Sequence, residues 1–183
     1  MYRETMVARF IKPFDGAKIL DIGCGTGEYI NHLEQHSKNF TYYGFDGEAV
    51  YIDYANKLFA GNPNFHFYHK ILSEKEVEEF NSFDIVIATG VMHHLDDALV
   101  ISLLRLAKLA LKPGGRLITY DPGKFKDMNW IEKFFLKYDR GRSIRSEEEY
   151  GELVKTVFPH YQSHEVYLTY YKVRNVVFEC WND

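Results

Sequence analysis

"ILDIGCGTGEYI" (residues 19–30) decides the fold. An apolar run carries an acid, Asp21, near its end, and glycines follow at alternate positions, Gly23, Gly25 and Gly27. Such a short apolar run bounded by glycine reads as a buried strand, "KILDIG" (18–23). Behind it, "GEYINHLEQH" (27–36) puts Tyr29 or Ile30 and Leu33 on one helical face. Strand, glycine loop and helix together form a unit that brings backbone against a ligand.

Outward from this unit the apolar pattern keeps switching period. "FTYYGFD" (40–46), "NFHFYHKI" (64–71), "FDIVIATG" (83–90) and "RLITYD" (116–121) read as strands. "AVYIDYANKLFAG" (49–61), "SEKEVEEF" (73–80), "DDALVISLLRLAKLAL" (96–111) and a segment from Ser146 to about Phe158 read as helices. "HEVYLTYYKVRNVVFECW" closes the chain as two strands with a tight join near 170–174. The expectation is an α/β fold, a Rossmann-like doubly wound sheet of about seven mostly parallel strands with an antiparallel C-terminal hairpin. Residues 1–183 are expected to form a single domain. Only 1–15 and the irregular polar stretch 122–145 stand outside the alternation.

Composition narrows the function classes. A net charge of −4 offers no basic field for a phosphate backbone, so nucleic acid is not the expected partner. No run approaches ~18 apolar residues, so neither a membrane-spanning segment nor a membrane partner is expected. "MYRETMVARF" mixes charges into its apolar residues and does not read as a secretory signal, which points to the cytoplasm. Cys24 and Cys180 lack ligand-spaced partners, and no metal is expected.

A dinucleotide fingerprint, G-x-G-x-x-G counted from Gly23, needs its third glycine at position 28, where the chain has Glu28. A carboxylate there would meet the pyrophosphate at a helix start. No Gly-Lys-Ser/Thr follows, so the phosphate-loop pattern fails as well. "LDIGCGTG" instead resembles the first motif of class I S-adenosylmethionine-dependent methyltransferases. "YGFD" ending in Asp46, "FDIVIATGVMHHLDD" and "LKPGGRLI" fall in the family's order, and the resemblance covers roughly residues 17–121.

The resemblance implies S-adenosylmethionine as cofactor and methyl transfer as the reaction. It sets Asp21, Gly23, Cys24 and Gly25 against the methionine portion, and Asp46 with Gly47 at the ribose. A carboxylate suits a vicinal diol, because it has two acceptor oxygens and no donors. Thr89 and Gly90 are to line the cofactor after the fourth strand. Family members often carry an acid after the third strand for adenine; "YHKILSE" has none at that place, which leaves backbone around Ile71 and Leu72.

The acceptor is expected to be a small molecule, anionic on one reading and methylated at oxygen. "ATGVMHHLDD" stands where amino methyltransferases of DNA carry Asn/Asp-Pro-Pro-Tyr. His93 and His94 lie close to where the methyl group should emerge, as general-base candidates or as packing and capping residues. Arg140, Arg142 and Arg145, in a locally basic stretch, could grip an anion bidentately or make surface salt bridges. Tyr2, Met6, Phe10 and Phe14 form one helical stripe, which serves either as core or as a lid over the cofactor. A non-catalytic module that binds S-adenosylmethionine for regulation is the alternative function.

Overall fold

The computed structural model describes residues 2–80, 82–139, 141, 143–168 and 173–183. Its elements, in chain order, begin with α1 (Tyr2–Met6), which runs on as a π-helical turn over Val7–Ile11, then β1 (Lys18–Ile22), α2 (Ile30–His36) and β2 (Thr41–Asp46). Next come α3 (Ala49–Leu58), β3 (Phe65–His69), α4 (Glu74–Phe80) and β4 (Phe83–Thr89), a short 3-10 turn at Met92–His94, and α5 (Asp97–Ala110). The chain closes with β5 (Leu111–Lys124), α6 (Trp130–Tyr138), β6 (Arg145–Ser146), α7 (Glu147–Lys155), β7 (Tyr161–Leu168) and β8 (Val173–Trp181).

The sheet runs β3-β2-β1-β4-β5-β8-β7, with the two-residue β6 paired to the end of β5. From β3 to β5 all pairs are parallel, whereas β8 lies antiparallel between β5 and β7. This is the expected doubly wound sheet with its antiparallel end. The expected join near 170–174 falls largely on 169–172, outside the described residues.

Side-chain alternation along the strands sorts the core into two layers. Ile19, Ile85 and Ile87 face α1, α2 and α3, where they meet Met6, Phe10, Leu33 and Ile52. Leu20, Val86 and Ala88 face the other way, onto Val100, Leu104 and Ala107 of α5 and Val154 and Phe158 at the α7 end. Each aliphatic side chain fully buried in this way stabilises the fold by about 1.5–3 kcal/mol. Caps fix the helix starts: Asp96 accepts from Leu99 N at 2.9 Å, and Ser146 with Glu149 forms a capping box.

Two elements depart from expectation. The stretch 122–145 contains α6, whose capping box runs between Asn129 and Glu132, and the β6 pairing. The N-terminal stripe splits: Met6 and Phe10 are core, Tyr2 stacks on Tyr120 of β5 at 5.5 Å, and Phe14 is largely exposed.

Because β4 lies on the opposite side of β1 from β2, the winding reverses between β1 and β4. In open α/β sheets the ligand crevice lies at the carboxyl ends of the strands flanking that reversal. Asp21 and Thr89 sit at those ends, and Asp46 and Asp121 lie towards the same end of the next strands outward, β2 and β5.

Candidate active site

Two cavities meet at the glycine loop. One, of 310 Å³, is lined by Asp21, Gly25, Glu28, Tyr29 and Thr89, with Tyr2 and Arg3 reaching over it from α1. The other, of 590 Å³ and mostly apolar, is lined by Asp46, Gly47, Ile71, Leu72 and His94, and by α5 residues including Leu103. Gly23 belongs to both walls. Cys24 lines the first cavity, while its thiol, pushed up by burial, stays neutral and packs as a small apolar group.

Gly23 is in the left-handed region, with φ +76°, and an added Cβ would come within 2.6 Å of Val91 Cγ2. Only glycine meets both demands. Gly23→Ala is therefore expected to weaken cofactor binding at least tenfold (about 1.4 kcal/mol), as read by calorimetry. Gly25→Ala, with a strained φ of +54° but open space around its Cβ, should cost less.

Asp21 is fully buried in β1, and Tyr42 donates its hydroxyl to one carboxylate oxygen at 2.5 Å. The other oxygen has no protein partner, although Asp21 lines the smaller cavity. Burial pushes the Asp21 carboxyl up to about 7, against the Tyr42 hydrogen bond and with help from nearby Asp46. An orphaned buried acceptor of this kind calls for a donor from a ligand. Asp46, at the end of β2, accepts from Gly25 N and Glu48 N, both at 2.9 Å, one on each oxygen. Each oxygen keeps a further lone pair.

The remaining predicted residues divide. Thr89 lines the smaller cavity, but Gly90 lines neither, and its N–H donates to Tyr120 O at 2.7 Å. Ile71 is exposed on the cavity rim and Leu72 is buried. His94 is on the wall of the apolar cavity, whereas His93 is buried beneath it. His93 Nδ1 lies 2.7 Å from Asp121 Oδ1, which also accepts the His93 backbone N–H at 3.1 Å. Burial raises the Asp121 carboxyl, and the His93 hydrogen bond opposes that rise. Asp139, just beyond α6, approaches His93 Nε2 at 3.5 Å.

Arg140 and Arg142 lie outside the described residues. Arg145 corrects the expected anion clamp, since its guanidinium is turned inward and every nitrogen is engaged. Nε and Nη2 reach Asp97, Nη2 also reaches Leu95 O, and Nη1 donates to Met92 O and Ser143 O, all within 3.1 Å. The arginine thus ties the Met92–His94 turn to β6 and the start of α5.

Sequence reasoning passed over three contributors: Tyr42, Arg3 and Asp121. Arg3 pairs with Glu28, the residue that stands where a dinucleotide fingerprint would have glycine. Asp121 had a visible signal, because it ends its strand motif with an acid just as Asp46 does.

The model of the methyltransferase domain family matches residues 20–117, from β1 into β5. The chain belongs to this methyltransferase domain family. The matched span contains the glycine loop, Asp46 and the His93–His94 pair. The chain is 29% identical over 108 residues to the tRNA U34 carboxymethyltransferase of Pseudoalteromonas translucida, covering 59% of this chain and 33% of that one. It is 26% identical over 152 residues to the ubiquinone biosynthesis O-methyltransferase of Paracidovorax citrulli, covering 79% and 60% respectively. Thus it spans less than two thirds of either relative. Among solved structures, the phosphoethanolamine N-methyltransferase 2 of Haemonchus contortus in complex with S-adenosyl-L-methionine superposes with a TM-score of 0.74 at 15% identity, covering 100% of this chain and 52% of that one. At that identity the likeness is one of fold.

Proposed function

We propose that this domain, residues 1–183, transfers a methyl group from S-adenosylmethionine to a small acceptor, at oxygen, in the cytoplasm. The observation that carries the reading is the pairing of Asp21 and Asp46 at adjacent strand ends around one glycine loop. Asp21 offers a buried, unpartnered oxygen to an ammonium, and Asp46 offers spare lone pairs to a ribose diol. Gly23 leaves the space that a Cβ would fill. Leu72, Leu103 and the α5 wall give an apolar slot for adenine, with Ile71 at its rim. The residues thus fit the cofactor, which supplies an already electrophilic methyl group.

What remains for the protein is positioning and exclusion of water. Tyr2, stacked on Tyr120, and Arg3, paired with Glu28, cover the methionine end as a lid. His93, oriented by Asp121, is the candidate base for an acceptor hydroxyl, taking the proton at Nε2 where Asp139 now lies. His94 shapes the cavity wall.

Calorimetry with S-adenosylhomocysteine tests the site. Micromolar binding to the wild type that weakens tenfold or more in Asp46→Ala is expected (about 1.4 kcal/mol). Absence of binding by folded wild-type protein would remove the proposal. Isotope transfer from labelled S-adenosylmethionine to a panel of phenols, carboxylates, phosphates and tRNA then reads the acceptor. The tRNA sample is included because the carboxymethyltransferase relative is named for tRNA. Binding without transfer to any acceptor would favour the non-catalytic module.

A further inference from the structure

Helix α6 is built inside out. Its inward residue is a carboxylate: Glu132, 3% exposed, caps the helix start and accepts from Arg174 Nε of β8 at 2.7 Å. Its outward residues are aromatic, with Trp130 77%, Phe134 53% and Tyr138 67% exposed, and Phe135 beside them. Trp130, Phe134 and Tyr138 are spaced four apart, so they form one stripe along the axis. The Phe134 and Tyr138 rings lie 4.7 Å apart on that stripe. An exposed patch of this kind marks an interaction surface.

Charge identifies the occupant. Lys133 and Lys137 are exposed on one flank of the stripe, and Lys124 and Lys126 on the approach to the helix. Arg174 offsets only part of the charge of Asp127, Glu132 and Glu165, and Asp139 follows the helix, so the positive character of this face comes from Lys133 and Lys137 on the helix itself with Lys124 and Lys126 before it. Lysine is depleted at the centres of protein–protein interfaces, which argues against a second copy. Tryptophan and tyrosine rings flanked by lysines suit the headgroup level of a lipid layer, where the rings bury and the ammonium groups reach anionic phosphates.

We propose that the α6 face adsorbs onto an anionic lipid surface. Among the described residues no helix is long and apolar enough to cross a membrane, so the contact is peripheral. The expectation of no membrane partner rested on the lack of a spanning run and did not address adsorption. The proposal is independent of the methyl-transfer reading. It would bring Asp139, and through it the His93 side of the site, next to the lipid.

Co-sedimentation with vesicles of phosphatidylcholine, alone or mixed with phosphatidylglycerol, tests it. The wild type should pellet with the anionic vesicles and be released by high salt. Trp130→Ser/Phe134→Ser/Tyr138→Ser should abolish pelleting, while far-UV melting stays unchanged because these side chains are outside the core. Lys133→Gln/Lys137→Gln should lower partitioning at least about tenfold, from the roughly 1 kcal/mol each surface lysine contributes. In a Trp181→Phe background, Trp130 fluorescence should shift to the blue on anionic vesicles. Wild-type protein that stays in the supernatant, or a triple variant that still pellets, overturns the proposal. So does a concentration-dependent dimer, seen by sedimentation velocity, that the triple variant dissolves without any vesicle binding.

Discussion

Asp21→Asn is expected to make the ligand-free protein more stable at pH 8 and to make cofactor binding much weaker. The two effects have one cause. Burial favours the protonated carboxyl, so the folded-state value of about 7 lies far above the ordinary 3.8. The contribution of this group to stability is therefore fully present below about pH 4, falls as pH rises towards 7, and is flat above that. Ionising a buried carboxyl with one unpartnered oxygen costs up to about 4 kcal/mol on that difference. Asparagine does not titrate, and it still accepts from the Tyr42 hydroxyl. At pH 8 the variant should melt several degrees above the wild type, and near pH 4 the two should coincide. Cofactor binding should move the other way, weakening at least tenfold at pH 8 (about 1.4 kcal/mol or more), because a neutral amide replaces the charged acceptor. Wild-type binding at pH 6 should also release a proton, visible as a dependence of the calorimetric heat on the buffer's ionisation enthalpy. A variant that binds like the wild type and melts below it at pH 8 would show that Asp21 serves the core and not a ligand.

The sheet was legible because the apolar runs between 18 and 121 are short and lie next to breakers, and because the helices between them keep their own period. Asp21, Gly23 and Asp46 were legible because they fall in motifs that resemble those of the methyltransferase family, whereas Asp121, an acid near a strand end like Asp46, falls in none that was read. The helix α6 was missed although "NWIE" (129–132) carries its capping box, because its apolar residues do not face the core and so give no inward stripe. Asp121 was read only as the end of a strand. Its partnership with His93 links two chain segments 28 residues apart and emerges only from the β4–β5 pairing. Arg145 was misread for a similar reason. Three arginines in a polar run look solvated, and nothing local shows that one of them meets three carbonyls from distant and neighbouring turns.

Arg145→Ala is accordingly expected to destabilise the fold and not merely to weaken an acceptor. Arg145 is 7% exposed, and its loss takes the guanidinium donor from Leu95 O and Ser143 O and leaves Met92 O with Leu95 N as its donor. Asp97 is mostly exposed and can turn to water, so the ion pair itself contributes little. The lost carbonyl hydrogen bonds and the lost packing over the Tyr150 ring dominate, for a total of about 3 kcal/mol. For a chain of this size that lowers the melting temperature by roughly 10 °C. Arg145→Lys should recover less than half, because one ammonium cannot span Nε, Nη1 and Nη2 positions that serve four acceptors. Activity should change through positioning: the Met92–His94 turn loosens, His93 loses its fixed approach to Asp121, and kcat falls with KM for the acceptor little changed. A surface anion clamp predicts the reverse, namely an unchanged melting temperature, a raised KM and no change in kcat. Thermal melting of the alanine and lysine variants, followed by initial rates once an acceptor is in hand, separates the two roles of this arginine.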